Sequence, residues 1–408
     1  MAHQVSARKY RPSTFADVVG QPFVVQTLRN ALRKGQIAHA YLFFGPRGVG
    51  KTTCARILAK AANCERLTPE GDPCGECPSC RRLAEGRALN LIELDAASHN
   101  SVDDIRLITE QVQLAPSEGR FKVYIIDEAH MLTSAAFNAF LKTLEEPPPH
   151  VLFILATTEK HKIPATILSR CQRFDFRRIP TDQIAARLQY IADQEGISAE
   201  PEALFLIAAK AEGGLRDALS LFDQLVSRTG GRLTYATVLE ALETLDYDAY
   251  FTLSDALQHW RAEDALSRLR GYIQAGYDPA TLMMGLLDHF RYLLLAKYQP
   301  SALGETIPPH YRQRYVEESS SYSEAFLLHA IDLILEGERR LGYTRSPEIA
   351  LETTILKIAL LPQALRLEDL RHAESPLPSL HTPSGSRPTK VAERPSIPRT
   401  LEEVKKKP

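Results

Sequence analysis

No stretch of this chain approaches the ~20 apolar residues that cross a bilayer, so a helical membrane span is excluded. Met1 to Tyr10 lacks the apolar core of a secretory signal, and a cytoplasmic location with no membrane partner is expected. An excess of charge of either sign is missing too. A net charge of -1 and a pI near 6.9 rule out a globally basic surface, so any nucleic-acid contact has to come from local patches or from an assembly that concentrates them. Cysteine is scarce, six in 408 residues, which excludes a disulfide scaffold; four of the six nevertheless fall between Cys64 and Cys80. Internal repeats are absent, and the length points to two or three domains.

What is present begins with Gly45-Pro46-Arg47-Gly48-Val49-Gly50-Lys51-Thr52-Thr53, which follows the apolar run Ala40 to Phe44 and opens a helix-like stretch from Thr53 to Asn63. Strand, glycine-rich loop and helix in that order form a phosphate-binding loop. Backbone N–H groups can point at phosphate oxygens only where no Cβ blocks the approach. Lys51 then reaches the β- and γ-phosphates, the Thr52 hydroxyl can ligate Mg²⁺, and the helix N-terminus adds a favourable field. A nucleoside triphosphate with Mg²⁺ is the expected ligand.

Strand-length apolar runs recur at Leu91 to Leu94, Val123 to Ile126 and Val151 to Ala156, with a last candidate at Gln172 to Phe176. Each of the first runs is followed by a helix-compatible segment, and the runs are continuous rather than alternating. Both features predict a parallel sheet covered by helices on both faces, an α/β fold. From Thr181 the pattern turns helical, with Ile184, Leu188, Ile191, Leu204 and Ile207 at helical spacing up to Gly230-Gly231. Amphipathic helices continue from about Leu245 to Leu365, clearest at Ser323 to Leu341 and Pro347 to Leu361. The expected division is therefore an α/β P-loop domain over 1–180 with a metal-binding insert at 64–80, a small helical lid over 181–243, an all-helical domain over 244–366, and a Pro-rich tail over 367–408. Apolar periodicity is lost in that tail, and from Arg371 onward eight basic residues face four acidic ones, so it reads as a disordered solvated linker.

Lys122-Val-Tyr-Ile-Ile-Asp127-Glu128 is an apolar strand ending in two carboxylates. Asp127 is placed for the magnesium side, and Glu128, one position outside the strand, for polarising the water that attacks the γ-phosphate. The letters Asp127-Glu-Ala-His130 also spell a helicase box, so a translocating motor has to be weighed against other ATPases.

The segments downstream decide between them: Phe137-Asn-Ala-Phe-Leu-Lys-Thr-Leu-Glu-Glu-Pro147-Pro148, Leu155-Ala-Thr157-Thr158, Leu168-Ser169-Arg170-Cys171 and Gly213-Gly214-Leu-Arg216-Asp217-Ala-Leu-Ser220. In that order, over roughly Val5 to Leu365, the chain resembles the gamma/tau subunits of the bacterial DNA polymerase III clamp loader, within the AAA+ ATPases. The resemblance implies an AAA+ domain, a lid and a helical oligomerisation collar. It implies sensor 1 at Thr157 or Thr158, an arginine finger at Arg170 that reaches the nucleotide of the adjacent subunit, and sensor 2 at Arg216. Taken alone, either arginine also fits a surface ion pair, and either threonine a strand end. Ala7, Tyr10, Arg11, Val18 and Val19 match the segment that wraps adenine, with Tyr10 and the valines supplying an apolar base pocket. Implied partners are delta- and delta-prime-type subunits, copies of this chain, a sliding clamp and primer-template DNA, with polymerase core and helicase joining longer forms. The implied activity is ATP hydrolysis within the polymerase III holoenzyme. A scaffold that has lost its chemistry remains as a further class, against which Lys51, Thr52, Asp127 and Glu128 argue.

Cys64, Cys74, Cys77 and Cys80 stand in a Cys-x9-Cys-x2-Cys-x2-Cys array within a polar insert. Four thiolates close a tetrahedral Zn²⁺ site, and an insert with so few apolar residues needs the metal's folding energy. The spacing differs from common ferredoxins, and no His or Glu stands among the four ligand positions to leave an open catalytic one. Cys54 and Cys171 read as packing residues. Finally, Ser98, His99, Asn100 and Ser101 follow a strand and precede a helix, where clamp loaders face DNA; plain capping by Ser101 explains the stretch equally well.

Overall fold

In the computed structural model the described residues are 5–364, apart from 243, 244, 306, 342 and 345. The tail over 367–408 lies outside them. Five parallel strands, β1 (Ala40–Phe44), β2 (Leu91–Asp95), β3 (Lys122–Asp127), β4 (Val151–Thr157) and β5 (Gln172–Asp175), form one sheet in the order β2-β3-β4-β1-β5. Pairing Phe44 with Thr157 and Asp95 with Asp127 aligns the carboxyl ends of the strands along one edge of the sheet.

The strand period of two explains how a continuous apolar run is used. Tyr41, Phe43, Val123, Ile125, Leu152 and Ile154 face helices Pro22–Arg33 and Lys51–Ala62. Leu42, Tyr124, Ile126, Phe153 and Leu155 face helices Val102–Val112 and Ser134–Glu145. Both faces are thus dry, and every residue of β4 is buried. The edge strand β2 departs from the expected buried run. It is only partly covered because Glu93 turns outward to pair with Arg56 of the neighbouring helix.

Ile179, Ile184, Leu188, Ile191, Leu204, Ile207 and Phe222 build a separate core for the helices that follow β5. This part is not purely helical as expected. Ser198–Ala199 and Arg232–Leu233 pair as two short parallel strands, a signal too brief for any periodicity. Helices from Tyr247 to Ala364 pack around Leu286, Phe290, Phe326, Ile334, Ile355 and Ile358. No described helix is long and apolar enough to cross a membrane.

Candidate functional site

The loop after β1 is shaped by close backbone approaches. Gly45 has φ +145°, and a Cβ there would stand 2.1 Å from the Phe176 carbonyl oxygen. Gly48 has φ +75°, and a Cβ would stand 3.2 Å from the Gly214 Cα, at the start of the lid helix Leu215–Thr229. No other residue type fits either place without displacing backbone. The helix begins at Lys51, two positions earlier than the sequence pattern suggests. Lys51 is 6% exposed, and its ammonium donates to the carbonyls of Gly45 at 2.8 Å and Pro46 at 2.7 Å. Burial lowers its pKa, with Glu128 and Asp127 pulling the other way.

Asp127, the last residue of β3, accepts the Thr52 hydroxyl at 2.8 Å, so the two expected magnesium-side groups touch across 75 residues of chain. Glu128 leaves the strand with φ +46°, a left-handed conformation uncommon for a residue other than glycine. The Thr158 hydroxyl donates to that carboxylate at 3.2 Å. Thr157 does something different. Fully buried, its hydroxyl accepts the Glu159 N–H at 3.0 Å and lies 3.0 Å from His130 Nδ1. His130 in turn sits 3.4 Å from Glu128 and 3.2 Å from Glu159 through its two ring nitrogens. Sequence reasoning saw His130 only as a letter in a box, although its place two residues after Glu128 was a usable signal.

One cleft collects these groups. Ala7, Tyr10, Arg11, Val18 and Val19 line it together with Arg47 to Thr53, Asp127 and Glu128. Arg216 closes it from the lid, where its N–H donates to the Gly48 carbonyl at 3.3 Å. Gly45 and Pro46 do not line the cleft; their carbonyls anchor Lys51 instead. Pro12, at the end of the expected adenine segment, lines the cleft too, and Ile179, Leu215 and Leu219 are walls that sequence reasoning missed. The recurrence of Leu215 and Leu219 four residues apart on one helix was the available clue. Cations converge here: burial, followed by repulsion from Arg56 and Arg216, lowers the pKa of Arg11. Arg11 and Arg216 beside a glycine-rich loop suit a polyanion.

The second expected cluster also assembles. The sulfurs of Cys64, Cys74, Cys77 and Cys80 lie within 4.8 Å of one another, and those of Cys64 and Cys74 are 3.5 Å apart. Sulfurs bound tetrahedrally at ~2.3 Å from one ion would be ~3.8 Å apart, so the donor set fits Zn²⁺. Backbone N–H groups of Cys74 and Cys77 donate to the sulfurs of Cys64 and Cys74 at 3.3 and 3.4 Å, which favours thiolates. Cys54 and Cys171 are buried elsewhere, their thiols pushed up to about 12 by burial.

Family models cover nearly the whole described chain: "DNA polymerase III, delta subunit" over residues 20–180, "DNA polymerase III clamp loader subunit, ATPase lid domain" over 183–231, and "DNA polymerase III subunits gamma and tau domain III" over 233–371. DNA polymerase III subunit gamma of Buchnera aphidicola is 37% identical over 362 residues, 88% of this chain and 97% of its own length. The chain belongs to the DNA polymerase III gamma/tau family. Subunit tau of Bacillus subtilis is 44% identical over 88% of this chain and 63% of its own length, and that of Escherichia coli 42% identical over 95% and 58%. This gamma/tau chain thus spans about three-fifths of those tau relatives. The Holliday junction branch migration motor RuvB of Thermotoga maritima overlaps 62% of this chain and 80% of its own at 20% identity and a TM-score of 0.44, too loose a likeness to bear on function.

The structure does not bring Arg170 to the cleft of its own gamma/tau chain. It follows the short helix Ala165–Leu168, is partly exposed, and donates to Glu145 at 2.5 Å and to the Thr166 carbonyl at 2.7 Å. Ser101 caps helix Val102–Val112, its hydroxyl accepting the Asp104 N–H at 3.2 Å while Asp104 accepts the Ser101 N–H. Capping therefore occupies Ser101; Ser98 and His99 are exposed beside it.

Proposed function

We propose that this chain is the ATP-hydrolysing subunit of a clamp loader that opens a ring-shaped sliding clamp and places it on primer-template DNA. The observation that carries the reading is the single cleft in which the phosphate loop, the Thr52–Asp127 pair, Glu128 and the lid residue Arg216 meet. ATP enters with its base against Tyr10, Val18 and Val19 and its phosphates along the loop, where Lys51 exchanges the carbonyls of Gly45 and Pro46 for phosphate oxygens. Thr52 and Asp127 are the residues that would hold Mg²⁺, which neutralises phosphate charge when bound. Glu128 takes the proton of the attacking water, and Thr158 orients that carboxylate and serves as sensor 1. Arg216 lets the lid angle follow the nucleotide. Arg170 acts in trans: its guanidinium leaves Glu145 for the nucleotide held by the adjoining subunit, suited to this by permanent charge and a forked geometry.

Residues 1–180 are the ATPase domain, 181–243 the lid and 244–366 the collar through which copies of this chain and delta- and delta-prime-type subunits assemble. Zn²⁺ on Cys64, Cys74, Cys77 and Cys80 supplies folding energy to the insert. ATP turnover, measured with and without clamp and primed DNA beside a strand-separation assay, tests the reading. Stimulation by clamp and primed DNA without unwinding is expected. Processive unwinding with no need of the clamp would instead identify a translocating motor.

A further inference from the structure

The loop between the first two cysteines carries one buried acid that reaches away from the metal cluster. Asp72, two positions before Cys74, is 7% exposed; its carboxylate accepts the Phe15 N–H at 2.7 Å and pairs with the Arg29 guanidinium. The loop tip beneath it is stiff, because the Thr68 N–H donates to the Asp72 carbonyl at 2.9 Å and the Asp72 N–H to the Thr68 hydroxyl at 3.1 Å. A carboxylate this buried is tolerated only with its donors in place, so the loop and its partners fix each other.

Phe15 opens the short helical turn Phe15–Asp17, which runs directly into Val18 and Val19 on the wall of the cleft. The far end of the same stretch is also clamped. The Gln21 side chain donates to the Arg177 carbonyl at 2.7 Å and accepts the Arg177 N–H at 3.2 Å. The two valines are therefore held between two anchors, and one anchor belongs to the cysteine insert.

We infer that Asp72 is a positioning residue for nucleotide binding. Metal bound by the four cysteines closes the loop over 64–74, the loop holds Asp72 against Phe15 and Arg29, and that contact sets the wall on which the base packs. The inference rests on the reading that the cleft takes ATP. Its consequence is specific: losing the anchor weakens the grip on the base and spares the grip on the phosphates.

Binding of ATP and of inorganic tripolyphosphate to the full chain, measured by calorimetry together with zinc content, tests it. Asp72→Asn removes a charged hydrogen-bond acceptor and is expected to weaken ATP binding about tenfold. The same variant should keep its zinc and its tripolyphosphate affinity, and raise KM with kcat retained. Cys74→Ser should lose zinc and weaken ATP binding to a similar degree, and adding Asp72→Asn to it should cost nothing more. Wild-type ATP affinity in Asp72→Asn, or an equal loss of tripolyphosphate affinity, overturns the inference even where Cys74→Ser does not fold. Lys51→Ala separates this from the parent reading. Unchanged ATP binding in Lys51→Ala overturns the cleft as a nucleotide site, whereas lost binding there with wild-type affinity in Asp72→Asn overturns the anchor alone.

Discussion

Glu128 and the two threonines at the carboxyl end of β4 divide their work in a way that substitution can read. Glu128→Gln keeps a side chain of the same shape but no longer accepts a proton. ATP binding should survive while turnover falls roughly 10²–10⁴-fold, measured as single-turnover hydrolysis beside equilibrium binding. Thr158→Ala should act the same way more weakly, because its hydroxyl orients the Glu128 carboxylate without itself taking the proton. Thr157→Ala should act on folding instead. It leaves the Glu159 N–H and the His130 ring without their buried partner, and a loss of about 1–3 kcal/mol is expected in denaturant unfolding. The sequence named both threonines and left the choice open, since adjacent residues at a strand end differ only in which face they take. Lys51, Thr52, Asp127 and the four cysteines were legible because their chemistry demands fixed residue types at short spacing. Leu215, Leu219 and Ile179 were not, because an apolar wall accepts many residues and its members come from distant segments.

At the scale of elements, the sheet was legible because four of its five strands are apolar enough to announce themselves, and its carboxyl edge then fixed where the site had to be. The two-residue strands of the lid escaped, and β2, though named as a strand, is less covered than its apolar run suggested. The helical part carries a feature that sequence pattern did not single out. His289 is fully buried among Tyr315, 2.8 Å from Nδ1, and Ser254, 2.9 Å from Nε2, and Ser254 also meets the Tyr322 hydroxyl. Burial, aided by repulsion from Arg314, pushes its pKa down to about 3. Since the folded value is below the unfolded value of ~6.5, only the unfolded chain takes up a proton on mild acidification. The stabilisation is complete above pH ~6.5 and is lost progressively as pH falls toward 3. Urea midpoints between pH 7.5 and 5 should therefore fall more steeply for the wild type than for His289→Gln, which is the less stable of the two at pH 7.5. Parallel slopes would show that His289 is not the group responsible.

For the molecule as a whole, the decisive feature is where Arg170 lies. It rests on Glu145 of its own chain, outside the cleft that Lys51 and Glu128 define, and the proposed function therefore draws this cation from an adjoining subunit. Sequence motif alone suggested this role; no spacing rule could have told a guanidinium that serves its own pocket from one that serves a neighbour's. Arg170→Ala should accordingly bind ATP with wild-type affinity and lose clamp-stimulated turnover. Complementation within mixed assemblies tests the shared pocket most directly. Lys51→Ala and Arg170→Ala are each expected to be inactive as the sole ATPase subunit, but mixed in one assembly the Arg170 of the first reaches the intact phosphate loop of the second. Clamp-stimulated ATPase activity should return to a fraction of the wild-type rate that depends on the mixing ratio. Mixed assemblies as inactive as either variant alone, or full turnover by an isolated wild-type monomer, would contradict a pocket built by two subunits.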